Sequence, residues 1–82
     1  MEERISEILA QHYPGARIEL ERAPGAEKLS GLVIWDGFEG KEAIDRQRAL
    51  YRLLRTHLGS DAQQVSVIFT YTPREFALMN AA

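Results

Sequence analysis

"LVIWDGFEGKEAIDRQRALYRLL", Leu32 to Leu54, changes its hydrophobic period halfway along. Its opening belongs to the longer run "LSGLVIW", which reads as a largely buried strand ending at Asp36. Past "DGFEG", residues Ile44, Gln47, Leu50, Tyr51, Leu54 and Leu58 recur at spacings of three and four, predicting a helix from Lys41 to about Leu58 that the glycine of "HLGS" stops. Its other face carries Lys41, Arg48, Arg52 and Arg55. Between strand and helix, Gly37, Phe38, Glu39 and Gly40 leave room for one helical turn.

Upstream, Ile5, Ile8, Leu9 and Tyr13 share one helical face, with Glu2, Glu3 and Glu7 near the favourable end of the helix dipole and "YPG" as the stop. "ARIELER" alternates Ala16, Ile18 and Leu20 with Arg17, Glu19 and Glu21, the pattern of a strand with one wet face. The turn "APGAEK" joins it to the buried strand as a hairpin. Downstream, "QQVSVIFTYT" sets Val65, Val67, Phe69 and Tyr71 against Ser66, Ile68 and Thr70, which places Phe69 and Tyr71 on the core side of a third strand. Thr72, Pro73 and Glu75 form a capping box opening a short last helix. The expected fold is α+β, a two-layer sandwich of order αββ(α)αβα with helices on one face of a three-stranded sheet, one domain over residues 1–82.

At 82 residues the chain has room for one small core, and 45% hydrophobic with 27% charged residues is an ordinary globular balance. With no cysteine, disulfides, thiolate metal sites and cysteine nucleophiles are excluded. The start "MEERISEILAQ" is acidic and amphipathic, unlike a secretory signal, and no run approaches a membrane span, so the expectation is a cytoplasmic protein without membrane attachment. No phosphate-binding or dinucleotide motif occurs, and Ser30, Ser60 and Ser66 have no histidine and acid constellation around them, so the reading is non-enzymatic. The net charge of -2 is unevenly spread: residues 1–40 sum to -4, residues 41–58 to +3 and the remainder to -1. A polyanion would have to meet the long helix.

A GxxG element between two helices in an αββααβ order resembles the type II KH arrangement, in which loop amides approach nucleic-acid phosphates. Gly37 and Gly40 match literally, but Glu39 would stand among phosphate oxygens and Phe38 suits a core anchor, so "GFEG" reads as a structural turn. Arg48, Arg52 and Arg55, at i, i+4 and i+7, make a stripe able to grip phosphates or carboxylates bidentately; the plainer reading is a solvated face paired to Asp45 and neighbouring acids.

Taken together, Leu32 to Leu54 followed by "VSVIFTYTPREF" resembles the BolA family, small proteins with a class II KH-like fold. The matching features are Phe38-Glu39-Gly40, then Arg46-x-Arg48 and Tyr51 on a helix, then a strand ending in Thr72-Pro73-x-Glu75-aromatic. The resemblance implies a non-enzymatic regulator, paired in many members with a monothiol glutaredoxin through a shared [2Fe-2S] cluster, while some bacterial members bind DNA in stress and envelope responses. It places cluster ligands just before the third strand, where this chain has Gln64, and in the first hairpin loop, where "APGAEK" offers neither histidine nor cysteine. The helix centre often reads Arg-His-Arg; here it is Arg46-Gln47-Arg48. Amides are poor iron ligands, and His12 and His57 lie at helix ends, so no cofactor or metal is expected.

The expected interaction surface is therefore Lys41, Arg46, Arg48, Arg52, Arg55 and the Gln64 edge, engaging a protein partner, with a monothiol glutaredoxin the class the resemblance suggests. The alternative is KH-like nucleic-acid binding through the same helix and the Gly37–Gly40 turn, against which Glu39 and the acidity of the chain both count. A third reading is a purely structural partner protein associating through the exposed edge of "ARIELER"; the chain itself is expected as a monomer or a homodimer.

Overall fold

The computed structural model describes residues 1–81. In chain order the elements are α1 (Glu2–His12), β1 (Arg17–Glu21), β2 (Leu29–Ile34), a 3₁₀ turn (Asp36–Phe38), α2 (Ala43–Leu58), a second 3₁₀ segment (Gly59–Gln64), β3 (Val65–Tyr71) and α3 (Pro73–Met79). The sheet order is β1-β2-β3, with β1 antiparallel and β3 parallel to β2. A parallel pair needs a crossover, and α2 supplies it. The expected three-stranded α+β architecture is therefore the one the chain adopts.

The core lies between α1, α2 and one sheet face: Ile5 and Leu9, Leu50 and Leu54, and Leu29, Val33 and Ile68 are all essentially inaccessible. Ile18 and Leu20 of β1 pack against it from the side, as their alternation requires. No helix among the described residues is long and apolar enough to cross a membrane.

Two readings of the sequence need correcting. Helix α2 begins at Ala43 rather than Lys41, and its inward line is Arg46, Leu50, Leu54 and Leu58, so Ile44, expected in the apolar stripe, is 58% exposed. In β3 the alternation breaks. Leu29 pairs with Val65 and Gly31 with Ile68, two steps on β2 against three on β3, so a bulge inserts one residue at Ser66–Val67. One extra residue flips every later side chain to the other face. Ile68 and Thr70 are thereby buried, and Phe69 is turned to the open side at 49% exposure with Tyr71 half-buried beside it.

The bulge has a holder. Tyr51 Oη accepts from Ile68 N (3.1 Å) and donates to Ser66 O (3.3 Å), serving the backbone groups that the extra residue strands. Tyr51→Phe is expected to cost about 1–2 kcal/mol, against about 2–5 kcal/mol for Ile68→Ala in the core. Urea denaturation reads both, and an unchanged midpoint for Tyr51→Phe would show that the hydroxyl does not hold the bulge.

Candidate functional site

The turn "GFEG" resolves into two steric demands. Tyr13, Trp35 and Phe38 meet with ring centroids 5.0–5.3 Å apart, and Trp35 Nε1 donates to Pro14 O at 2.9 Å. A β-carbon at Gly37 would run into the Trp35 ring, and Gly40 holds φ at +81°. Phe38 is buried, the inward anchor its apolar character suggests. Of the two glycines of this turn, Gly40 uses the left-handed region and Gly37 is required by close approach instead.

Arg46, expected on the interaction surface, is 6% exposed. Its Nη1 and Nη2 donate to Glu75 Oε1 and Oε2 at 2.7 and 3.3 Å, its Nε donates to Lys41 O at 2.9 Å, and Nη1 makes a longer contact of 3.4 Å to Thr70 O. The guanidinium also lies 5.5 Å from the Phe38 ring centre. Glu75 in turn accepts from Thr72 N at 2.8 Å, while Thr72 Oγ1 accepts from Glu75 N at 3.1 Å, which is the capping box that the sequence announces. Arg46 is thus structural, tying the start of α2 to the start of α3. The Arg46 hydrogen bond, and then the Thr72 amide, hold the Glu75 carboxyl below the ordinary carboxylate range.

The same side of α2 closes the edge of β3. Tyr71 O accepts from Trp35 N on the β2 side, so the backbone groups of Thr70 and Ile68 point outward. Arg46 meets Thr70 O, and Tyr51 takes Ile68 N and Ser66 O. Helix side chains therefore occupy polar groups that would otherwise offer β3 to another strand.

Beside this edge, α2, the second 3₁₀ segment and the start of β3 enclose a groove of about 750 Å³. Arg48, Arg52 and Arg55 line it together with Ile44, Tyr51 and Val65. Among the described residues the ion pairs are Arg17–Glu19 and Arg46–Glu75, so the groove arginines have no carboxylate within 4 Å, Asp45 included. Of the six expected surface residues, the structure brings these three together. Lys41 is exposed but outside the groove, and Gln64 lies in an adjoining shallow depression with Glu27, Lys28, Ser60 and Gln63. Ile44 was read into the apolar stripe, although an apolar side chain opposite the buried line of α2 is a signal the helical period can give, while Val65 belongs to the core and lines the groove as well.

That depression joins the hairpin loop to the residue before β3, the two places where the resemblance puts cluster ligands. Its donors are two amides, a hydroxyl and a carboxylate beside a lysine ammonium, with no imidazole or thiolate. His12 and His57 meet each other elsewhere, ring centroids 5.2 Å apart. This donor set does not fit an iron–sulfur cluster.

No protein-family model matches the chain. It is 28% identical over 74 residues to an uncharacterized protein in the rpoN-murA intergenic region of Acinetobacter guillouiae, covering 90% of this chain and 87% of that protein. Among solved structures it superposes on the BolA domain of SufE1 from Arabidopsis thaliana with a TM-score of 0.70 and 27% identity, covering 89% of this chain and 92% of that one. BolA1 from the same plant gives 0.72 and 26% over the same shares, and a bolA protein homologue from Coxiella burnetii gives 0.66 and 26%, covering 93% and 95%. The fold is the one these BolA proteins share, and the likeness supports a BolA-like family for this chain.

The lowered pKa of Glu75 makes its contribution to stability full above the ordinary glutamate value of 4.5 and lost as pH falls through the lower folded value. Thermal unfolding of wild type and Glu75→Gln is therefore expected to differ most near neutrality and to converge below pH 4.5. A difference that stays constant down to strong acid would mean that the ion pair does not set it.

Proposed function

We propose that this BolA-like chain is a non-enzymatic regulatory adaptor that works in the cytoplasm through protein–protein contacts on the outer face of α2, without iron–sulfur ligands of its own. One observation carries the reading: three arginines that pair with no carboxylate of the described chain line an open, partly apolar groove. A monothiol glutaredoxin in a stress-linked pathway is the partner class the BolA likeness suggests, and the donor set at Gln64 supports an association that does not wait on a cluster.

Arg48, Arg52 and Arg55 act in this reading as charge-assisted donors around an apolar centre, the arrangement of a contact surface. Nucleic-acid binding uses the same three charges, but the turn leading into α2 carries Asp36 and Glu39, and exposed Phe69 sits on the sheet face opposite α1 and α2, away from the arginines.

Calorimetric titration of the iron-free protein into an iron-free monothiol glutaredoxin tests the proposal. The expected outcome is binding that weakens by about tenfold in the variant R48A/R52A/R55A, each exposed charge pair contributing modestly. Reconstituting the mixture with iron and sulfide should leave the cluster spectrum that of glutaredoxin alone. A new histidine-type absorption, or no heat of binding, would contradict the reading.

A further inference from the structure

We propose that the groove between α2 and β3 takes a short acidic peptide segment in which carboxylates alternate with apolar side chains. The inference deepens the adaptor reading and rests on it.

Charge comes first. In a chain of net charge -2, the groove lining contains three arginines and neither aspartate nor glutamate. An acidic chain that concentrates unpaired cations in one concavity is complementary to an anion, and guanidinium forks suit carboxylates bidentately.

Apolar surface comes second. Ile44, exposed at 58%, stands at the mouth, and Tyr51, Leu54 and Val65 lie within. A bare inorganic anion or a phosphodiester backbone would leave that surface wet, whereas a peptide with leucine-like residues between its acids covers it.

Dimensions come third. Arg48 and Arg55 lie about 10 Å apart along the helix axis at 1.5 Å per residue, and alternate residues of an extended segment lie about 6.6 Å apart. Three carboxylates at alternate positions thus match the stripe within the reach of flexible arginines, and Ile44 to Arg55 accommodates about five or six extended residues.

The closed edge of β3 supplies the mode of binding. Because Tyr51 and Arg46 already meet Ser66, Ile68 and Thr70, the segment is held by its side chains and not by adding a strand to the sheet.

The test is fluorescence anisotropy with a labelled hexapeptide alternating Glu and Leu, beside a Lys–Leu hexapeptide and a single-stranded oligonucleotide, at rising salt. The expected result is binding of the Glu–Leu peptide alone, weakened by salt and by about tenfold in R48A/R52A/R55A, with Ile44→Ser weakening it independently of salt. Both variants change exposed side chains, and far-ultraviolet circular dichroism checks their fold. Absence of Glu–Leu binding, or binding unchanged in the triple variant, overturns the proposal; preferential binding of the oligonucleotide overturns it in favour of nucleic acid. If glutaredoxin binding depends on the arginines while the peptide does not bind, the peptide class falls and the adaptor reading stands. If the triple variant binds glutaredoxin as wild type does, the adaptor surface lies elsewhere whatever the peptide shows.

Discussion

The ion pair between Arg46 and Glu75 organises this molecule. It is bidentate, its guanidinium is almost wholly withdrawn from water, and the same carboxylate closes the capping box on Thr72. Burying an arginine is costly unless its donors find partners, and here the carbonyls of Lys41 and Thr70 add two acceptors to the two carboxylate oxygens, so each of the three nitrogens is hydrogen-bonded. One side chain thereby fixes four things at once: the entry to α2, the end of β3, the start of α3 and the packing of Phe38 beneath it. A lysine could carry the charge but not the planar fork that these partners require.

Tyr51, just over one turn further along α2, does for the bulge what Arg46 does for the cap. With these polar groups along the helix–strand seam satisfied internally, the arginines of the groove beside them are left without a structural duty. Arg48, Arg52 and Arg55 are exposed, unpaired and set on the flank of a helix whose inner line is committed to the core. Alpha-2 is therefore divided along its length: one flank stabilises and the other is free to recognise.

Much of this was legible in the residues. The change of period after "DGFEG", the alternation of "ARIELER" and the Thr72–Glu75 box each have a local cause, and each element formed within two residues of where its pattern placed it. What could not be read was non-local. Periodicity alone cannot tell that Arg46 rather than Ile44 faces inward, because the decision belongs to a carboxylate 29 residues away. The bulge is invisible in "VSVIFTYT", since alternation is ambiguous where apolar and β-branched residues follow one another from Val67 to Thr70, and Phe69 was assigned inward for that reason. The arginine stripe was legible as a stripe; its groove, made with Ser60, Gln63 and Val65 from beyond the helix, was not.

The central claim is that Arg46 and Glu75 act as one unit, and a double-mutant cycle tests it most directly. Urea denaturation of wild type, Arg46→Met, Glu75→Gln and the double variant at neutral pH gives the coupling. Because about half of the Glu75 side chain is open to water, the coupling expected is about 1 kcal/mol, in the lower part of the range for contacting partners. Effects that simply add would mean that Arg46 and Glu75 stabilise the fold separately, and the junction of α2, β3 and α3 would need another cause.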